Sequence, residues 1–146
     1  MKLFRFMSKE EFIKYNNGEI LVNTTNHKKE NNRKSSSIGF CFLNYAHFKP
    51  EEAYHFILGS SGIFFNYDIC AMFETNRDNV VQSKGRYAEP INPIEYNCIS
   101  PIERKSFIAK EYCTTTYSKE TFKLIKYAKP DWINWDNWLW HTQVID

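Results

Sequence analysis

The four cysteines of this 146-residue chain, Cys41, Cys70, Cys98 and Cys113, share no CxxC or other metal-ligand spacing. That leaves no metal site built on cysteine spacing and no sign of a disulfide framework. Cys41 and Cys70 lie in apolar stretches, where a free thiol behaves as a small hydrophobe, and a reduced compartment is the expectation. Charge of one sign is also lacking: a net +2 at pH 7 does not by itself imply a nucleic-acid partner. No apolar run approaches membrane-spanning length. The N-terminal MKLFRFMSKEEF turns charged too soon for a signal peptide. Alanine and glycine are scarce beside Lys, Asn, Ile and Tyr, a bias of AT-rich coding sequence that carries no mechanism. No internal repeat and no linker divides the chain. The expectation is one soluble, cytoplasmic domain over residues 1–146.

What is present is aromatic. The 17% aromatic content, with 12 Phe and 9 Tyr, points to a packed mixed or β-rich core, on a chain long enough to bury one. Hydrophobic patterning predicts strands at Leu3–Met7, Ile38–Leu43, Ile69–Thr75, Phe107–Thr115 and Phe122–Tyr127. Helices are expected at Ser8–Asn16 and Pro50–Leu58. In the first, Ser8 and Glu11 read as a capping box, with Met7 stapled on Phe12. In the second, Pro50 suits the first turn and Gly59 the stop. Asn23 to Ser37 is a polar, basic loop whose length points to function. The strands on either side of Tyr117-Ser118-Lys119-Glu120 read as a hairpin pair. Asp131 can cap a last helix carrying Trp132, Trp135, Trp138 and Trp140. Segment 130–146 then docks on the core or presents tryptophans to a partner. The class is α+β, with a split, mostly antiparallel β core and short flanking helices.

Two charges stand in otherwise apolar strands. Glu111, between Ile108 and Cys113, faces either solvent or a cleft. In a cleft, a carboxylate can stabilise an oxocarbenium-like state, as in glycoside hydrolysis, and hold a ribose hydroxyl. Arg5, among Leu3, Phe4, Phe6 and Met7, either grips a pyrophosphate bidentately or keeps an edge strand soluble. Ser35, Ser36 and Ser37 can hydrogen-bond a ribose or orient Glu111, or simply end a loop. His27 can touch phosphate or stand in solvent, and no partner at triad or metal spacing accompanies it. Tyr54 and His55 belong to core or surface packing or to a pocket edge. Tyr87 either stacks on a planar ring or is structural.

An early strand Arg, a serine cluster leading through GFCFL into a helix, and a late strand Glu form one series. In that order of parts the chain resembles the ADP-ribosyltransferase superfamily from about Leu3 to Tyr127, and it looks like small prophage-type proteins. The arginine–serine–glutamate branch implies roles. Glu111 is catalytic, Arg5 binds NAD, and Ser36 and Ser37 support the site; Tyr87 and His27, which the branch pattern does not include, are further candidate contacts from their own chemistry. Ser35-Ser36-Ser37 lacks the branch's Thr and precedes the strand. Ala109 stands where the family often has Gln or Glu, which argues against modification of protein arginines. A nucleic-acid or other acceptor, NAD hydrolysis, or a site that only binds stay open. The resemblance implies NAD as substrate, a role in phage–host conflict, and one pocket lined by Arg5, Ser37 and Glu111. A non-enzymatic inhibitor that binds a host defence complex is the alternative, as is a module that binds a nucleotide signal. With Arg5 and Glu111 on opposite faces, the transferase reading built on both would be dropped in favour of the inhibitor.

Overall fold

The first strand, β1 (Lys2–Met7), buries Leu3 and Phe4 as well as Phe6 and Met7, so it needs core on both of its faces. A computed structural model describes residues 1–25, 38–54, 68–82, 111–131 and 138–142, and it places β1 at mid-sheet. Helix α1 (Lys9–Asn16) follows at once. The Glu11 N–H donates to Ser8 Oγ at 3.1 Å, which caps it. Met7 and Phe12 share one core cluster, as a staple requires. Gly18, at φ +80°, turns the chain out of the helix.

After α1 come β2 (Leu21–Val22), β3 (Phe40–Asn44), β4 (Ile69–Thr75), β5 (Val81–Gln82) and β6 (Glu111–Thr114). Then come β7 (Thr116–Tyr117), β8 (Phe122–Ala128) and β9 (Trp140–His141). Residues 50–54 are helical and Arg77–Asn79 form a 3-10 turn. Seven strands form one sheet in the order β5-β6-β3-β1-β4-β8-β9, and β2 pairs with β7 apart from it. Every pairing described is antiparallel. The architecture is therefore a mostly antiparallel β sheet with few short helices, α+β in the broad sense. No described helix is long and apolar enough to cross a membrane.

Three expectations are corrected. The strands flanking residues 117–120 are not a hairpin pair: β6 lies between β3 and β5, and β8 between β4 and β9. Tyr117 is a β7 residue with its ring 1% exposed, in contact with Phe40, Phe42, Phe73 and Phe122. Burial in that aromatic cluster outweighs local closure. The third prediction put the strand start at Ile38. It moves to Phe40, because Gly39 adopts φ +82° and breaks the extended run. Trp140 and His141 form a strand on Tyr127 and Ala128 where a helix was expected; residues 132–137 lie outside the described set.

Side chains alternate between two cores. One holds Leu3, Met7, Phe12, Tyr15, Phe40, Phe42, Phe73, Tyr117 and Phe122. The other holds Phe4, Phe6, Leu43, Ala53, Cys70, Met72 and Trp138. The β4–β8 register slips between Met72 and Phe73, which leaves Ile125 as an extra residue in β8. Near this bulge the Tyr15 hydroxyl donates to Phe122 O and accepts from Leu124 N–H. Burial pushes the Tyr15 phenol up to about 12.

The two left-handed glycines should respond differently to substitution. A Cβ on Gly39 would run into Thr114 O and lie 2.6 Å from Asn23 O, both rigid backbone, whereas one on Gly18 meets nothing within 4 Å. Gly18→Ala should cost about 1 kcal/mol of backbone strain, and Gly39→Ala more than about 2 kcal/mol, in urea denaturation. Equal costs would show that the β3–β6 junction tolerates the methyl.

Candidate functional site

Arg5 stands on the α1 face of β1. Its neighbours on that face, Leu3 and Met7, belong to the first core. The guanidinium lies 5.1 Å from the centroid of Phe40 and 5.9 Å from that of Phe42, within cation–π range. Its Nε and Nη2 donate to the two Glu11 oxygens at 2.8 and 2.9 Å, and its Nη1 donates to Cys41 O at 3.2 Å. The Tyr117 hydroxyl donates to Glu11 Oε2 at 2.7 Å. Both charged side chains are largely enclosed, at 18% and 16% exposure.

This geometry sets the protonation states. Burial works to lower the Arg5 pKa, but the hydrogen bond and charge of Glu11 outweigh it and raise the value, so Arg5 stays charged. For Glu11, burial works upward, and the Arg5 hydrogen bond and charge, then the Tyr117 bond, hold the carboxyl below its usual range. Burial, followed by the Glu11 charge, pushes the Tyr117 phenol far up. To grip a pyrophosphate, Arg5 would have to abandon a buried carboxylate, which costs about 3–5 kcal/mol. It is a structural fork in this arrangement, and the expected role of NAD ligand would require the Arg5–Glu11 pair to open.

Glu111 is the first described residue of β6 and is 9% exposed. It stands opposite Leu43, which stands opposite Phe4. Direct cross-strand partners share a face, and Phe4 and Leu43 line the second core. Glu111 therefore projects on the face away from Arg5. The expected pocket shared by Arg5 and Glu111 is not built, because odd residues of β1 and odd residues of β6 fall on opposite sides in this register. The strands themselves are neighbours: β1, β3 and β6 are consecutive in the sheet.

Ser35, Ser36, Ser37, His27, His55 and Tyr87 lie outside the described residues. Tyr54 packs between Phe6 and Trp138, each at 5.5 Å between centroids, and belongs to the second core. The two tryptophans described are engaged with the fold. Trp138 is 7% exposed and donates to Asp131 O, and Trp140 donates to Glu51 Oε1 at 3.0 Å beneath Lys126. Leu139 between them is 75% exposed. Among the described residues no group of three or more His, Cys, Asp and Glu could hold a metal ion.

The residues missed by the sequence reading are Glu11 and Tyr117. The pattern Ser8-x-x-Glu11 was legible as a cap, and it is half present. The serine side caps the helix, while the carboxylate is taken by Arg5, six residues earlier. An Arg buried in a strand just before an acidic helix start was the available signal. Compared with known proteins, the chain matches no family model, no curated sequence and no solved structure.

Glu11→Gln leaves the guanidinium without its counter-charge and should cost about 3–5 kcal/mol in urea. The double variant Arg5→Met with Glu11→Leu should cost less than that single change, since no charge stays buried. Because the folded Glu11 pKa is depressed, its stabilisation is complete above the usual carboxylate pKa. It is lost as pH falls through the folded value. Acid unfolding profiles of wild type and Glu11→Gln should therefore converge at low pH; parallel profiles would contradict the pairing.

Proposed function

We propose that this protein is ADP-ribosyltransferase-like and that its NAD chemistry is centred on Glu111, with Arg5 withdrawn from the site. The observation that carries the reading is the adjacency of β1, β3 and β6. The first strand, the strand led in by the serines and the strand that carries the late carboxylate lie side by side. The finer fold reading, a split ADP-ribosyltransferase-like core, belongs to the same proposal. In this proposal Arg5 stays paired with Glu11, and the first-strand arginine contact of the branch is not used.

In this reading the bond between nicotinamide and ribose breaks with its electron pair leaving on the nicotinamide. Glu111 stabilises the positive charge that develops on the ribose and holds a ribose hydroxyl. Ser36 and Ser37 orient the carboxylate or the ribose, Tyr87 stacks on the nicotinamide, and His27 meets a phosphate. The ADP-ribose passes to a nucleic-acid or other acceptor, or to water. The setting is cytoplasmic phage–host conflict.

The opposite facing of Arg5 and Glu111 counts against a transferase site that uses both, and it favours a second reading, a non-enzymatic inhibitor that binds a host protein complex. Exposed Leu139, held between two docked tryptophans, would be its anchor.

NAD titration with detection of free nicotinamide separates the two. Nicotinamide release by wild type is expected, with Glu111→Gln slower by about a hundredfold and NAD affinity little changed. Absence of both NAD binding and nicotinamide release in folded wild type would overturn the transferase reading. Leu139→Asp would then be the first variant to assay for lost partner binding.

A further inference from the structure

Cys41 of β3 and Cys113 of β6 are direct cross-strand partners, and neither is in a disulfide. Neighbouring hydrogen bonds fix what kind of pair they form. Along a strand, the backbone N–H and C=O groups of successive residues turn to alternate sides. The Tyr45 N–H donates to Lys2 O, and Arg5 Nη1 donates to Cys41 O. The odd-numbered residues of β3 thus turn their backbone groups toward β1. Cys41 turns none toward β6, so Cys41 and Cys113 are a non-hydrogen-bonded pair. In such pairs the Cα atoms are about 4.5 Å apart and the side chains are closest. A disulfide accepts Cα separations of roughly 4.4–6.8 Å. The remaining described cysteine, Cys70, faces Phe6 and Ala128 and has no such thiol opposite it.

We propose that Cys41 and Cys113 are an oxidation site, in which a low-molecular-weight disulfide such as oxidised glutathione closes a cross-strand disulfide between β3 and β6. Cys41 is partly exposed and Cys113 is buried, which sets the order of events. The Cys41 thiolate attacks one sulfur of the oxidant, and one small thiolate leaves. Cys113, its proton released to water, then attacks the Cys41 sulfur, and the second small thiolate leaves. The oxidant's S–S bond is broken and reduced by two electrons, and the protein's S–S bond is formed. Burial raises the Cys113 pKa and keeps it protonated, so it is the second thiol to react. The new bond lies two residue pairs along from Leu43 and Glu111, on the same face of the sheet.

The test uses the full chain, incubated with oxidised glutathione, alkylated under denaturing conditions and digested without reductant. Alkylatable thiols should fall from four to two, with the Cys41 and Cys113 peptides joined. Cys70→Ser should keep the link and Cys41→Ser should lose it. Cys113→Ser should trap one glutathione on Cys41. Four thiols remaining in wild type, glutathione adducts with no intrachain link, or a link that survives Cys41→Ser would each overturn the proposal. None of these readouts depends on NAD chemistry.

Discussion

The Arg5–Glu11 pair ties the first strand to the first helix, and through Tyr117 and Cys41 O it reaches β7 and β3. A charge so enclosed is tolerable only when its partner is held at hydrogen-bonding distance. The position of α1 against the sheet is thereby constrained in direction as well as by apolar contact. Phe40 and Phe42, against the guanidinium, make the same site part of the aromatic core. The first core could not be repacked around a displaced helix without leaving one of these charges alone. Its polar centre and its apolar mass therefore specify the same arrangement.

That pair also shows how far a sequence can be read. Local signals were legible. ICAMFET is a largely buried strand, and Ser8 caps the helix that Met7 and Phe12 staple. Long-range choices were not. Nothing near Tyr117 shows that it will leave a turn to join Phe42 and Phe122 in the core. Nothing near Glu11 shows that a strand arginine will take its carboxylate. Both outcomes depend on competition between local hydrogen bonding and burial of groups distant in sequence, which periodicity does not report. The facing of Glu111 relative to Arg5 is a matter of register. A shift of one residue would have reversed it.

Apart from β5, which lies outside the later β6, the sheet grows outward in chain order. β1 is flanked by β3 and β4, and the later β6 and β8 add outside them. This places the earliest strand where it is shielded on both edges, and it brings residues far apart in sequence, such as Phe4, Leu43 and Glu111, onto one face. Chemistry on that face would draw its groups from separate parts of the chain.

The bulge in β8 has a bearing on how these molecules tolerate one another. Among the described residues, β9 covers only Tyr127 and Ala128 of a strand that runs from Phe122 to Ala128. The rest of that edge carries Lys123 and Lys126, and the extra residue Ile125 twists it out of line. A second molecule adding its own strand there would meet like charges and a broken hydrogen-bond ladder. The irregularity that Tyr15 steadies from within thus also hinders sheet-to-sheet association between copies of the chain.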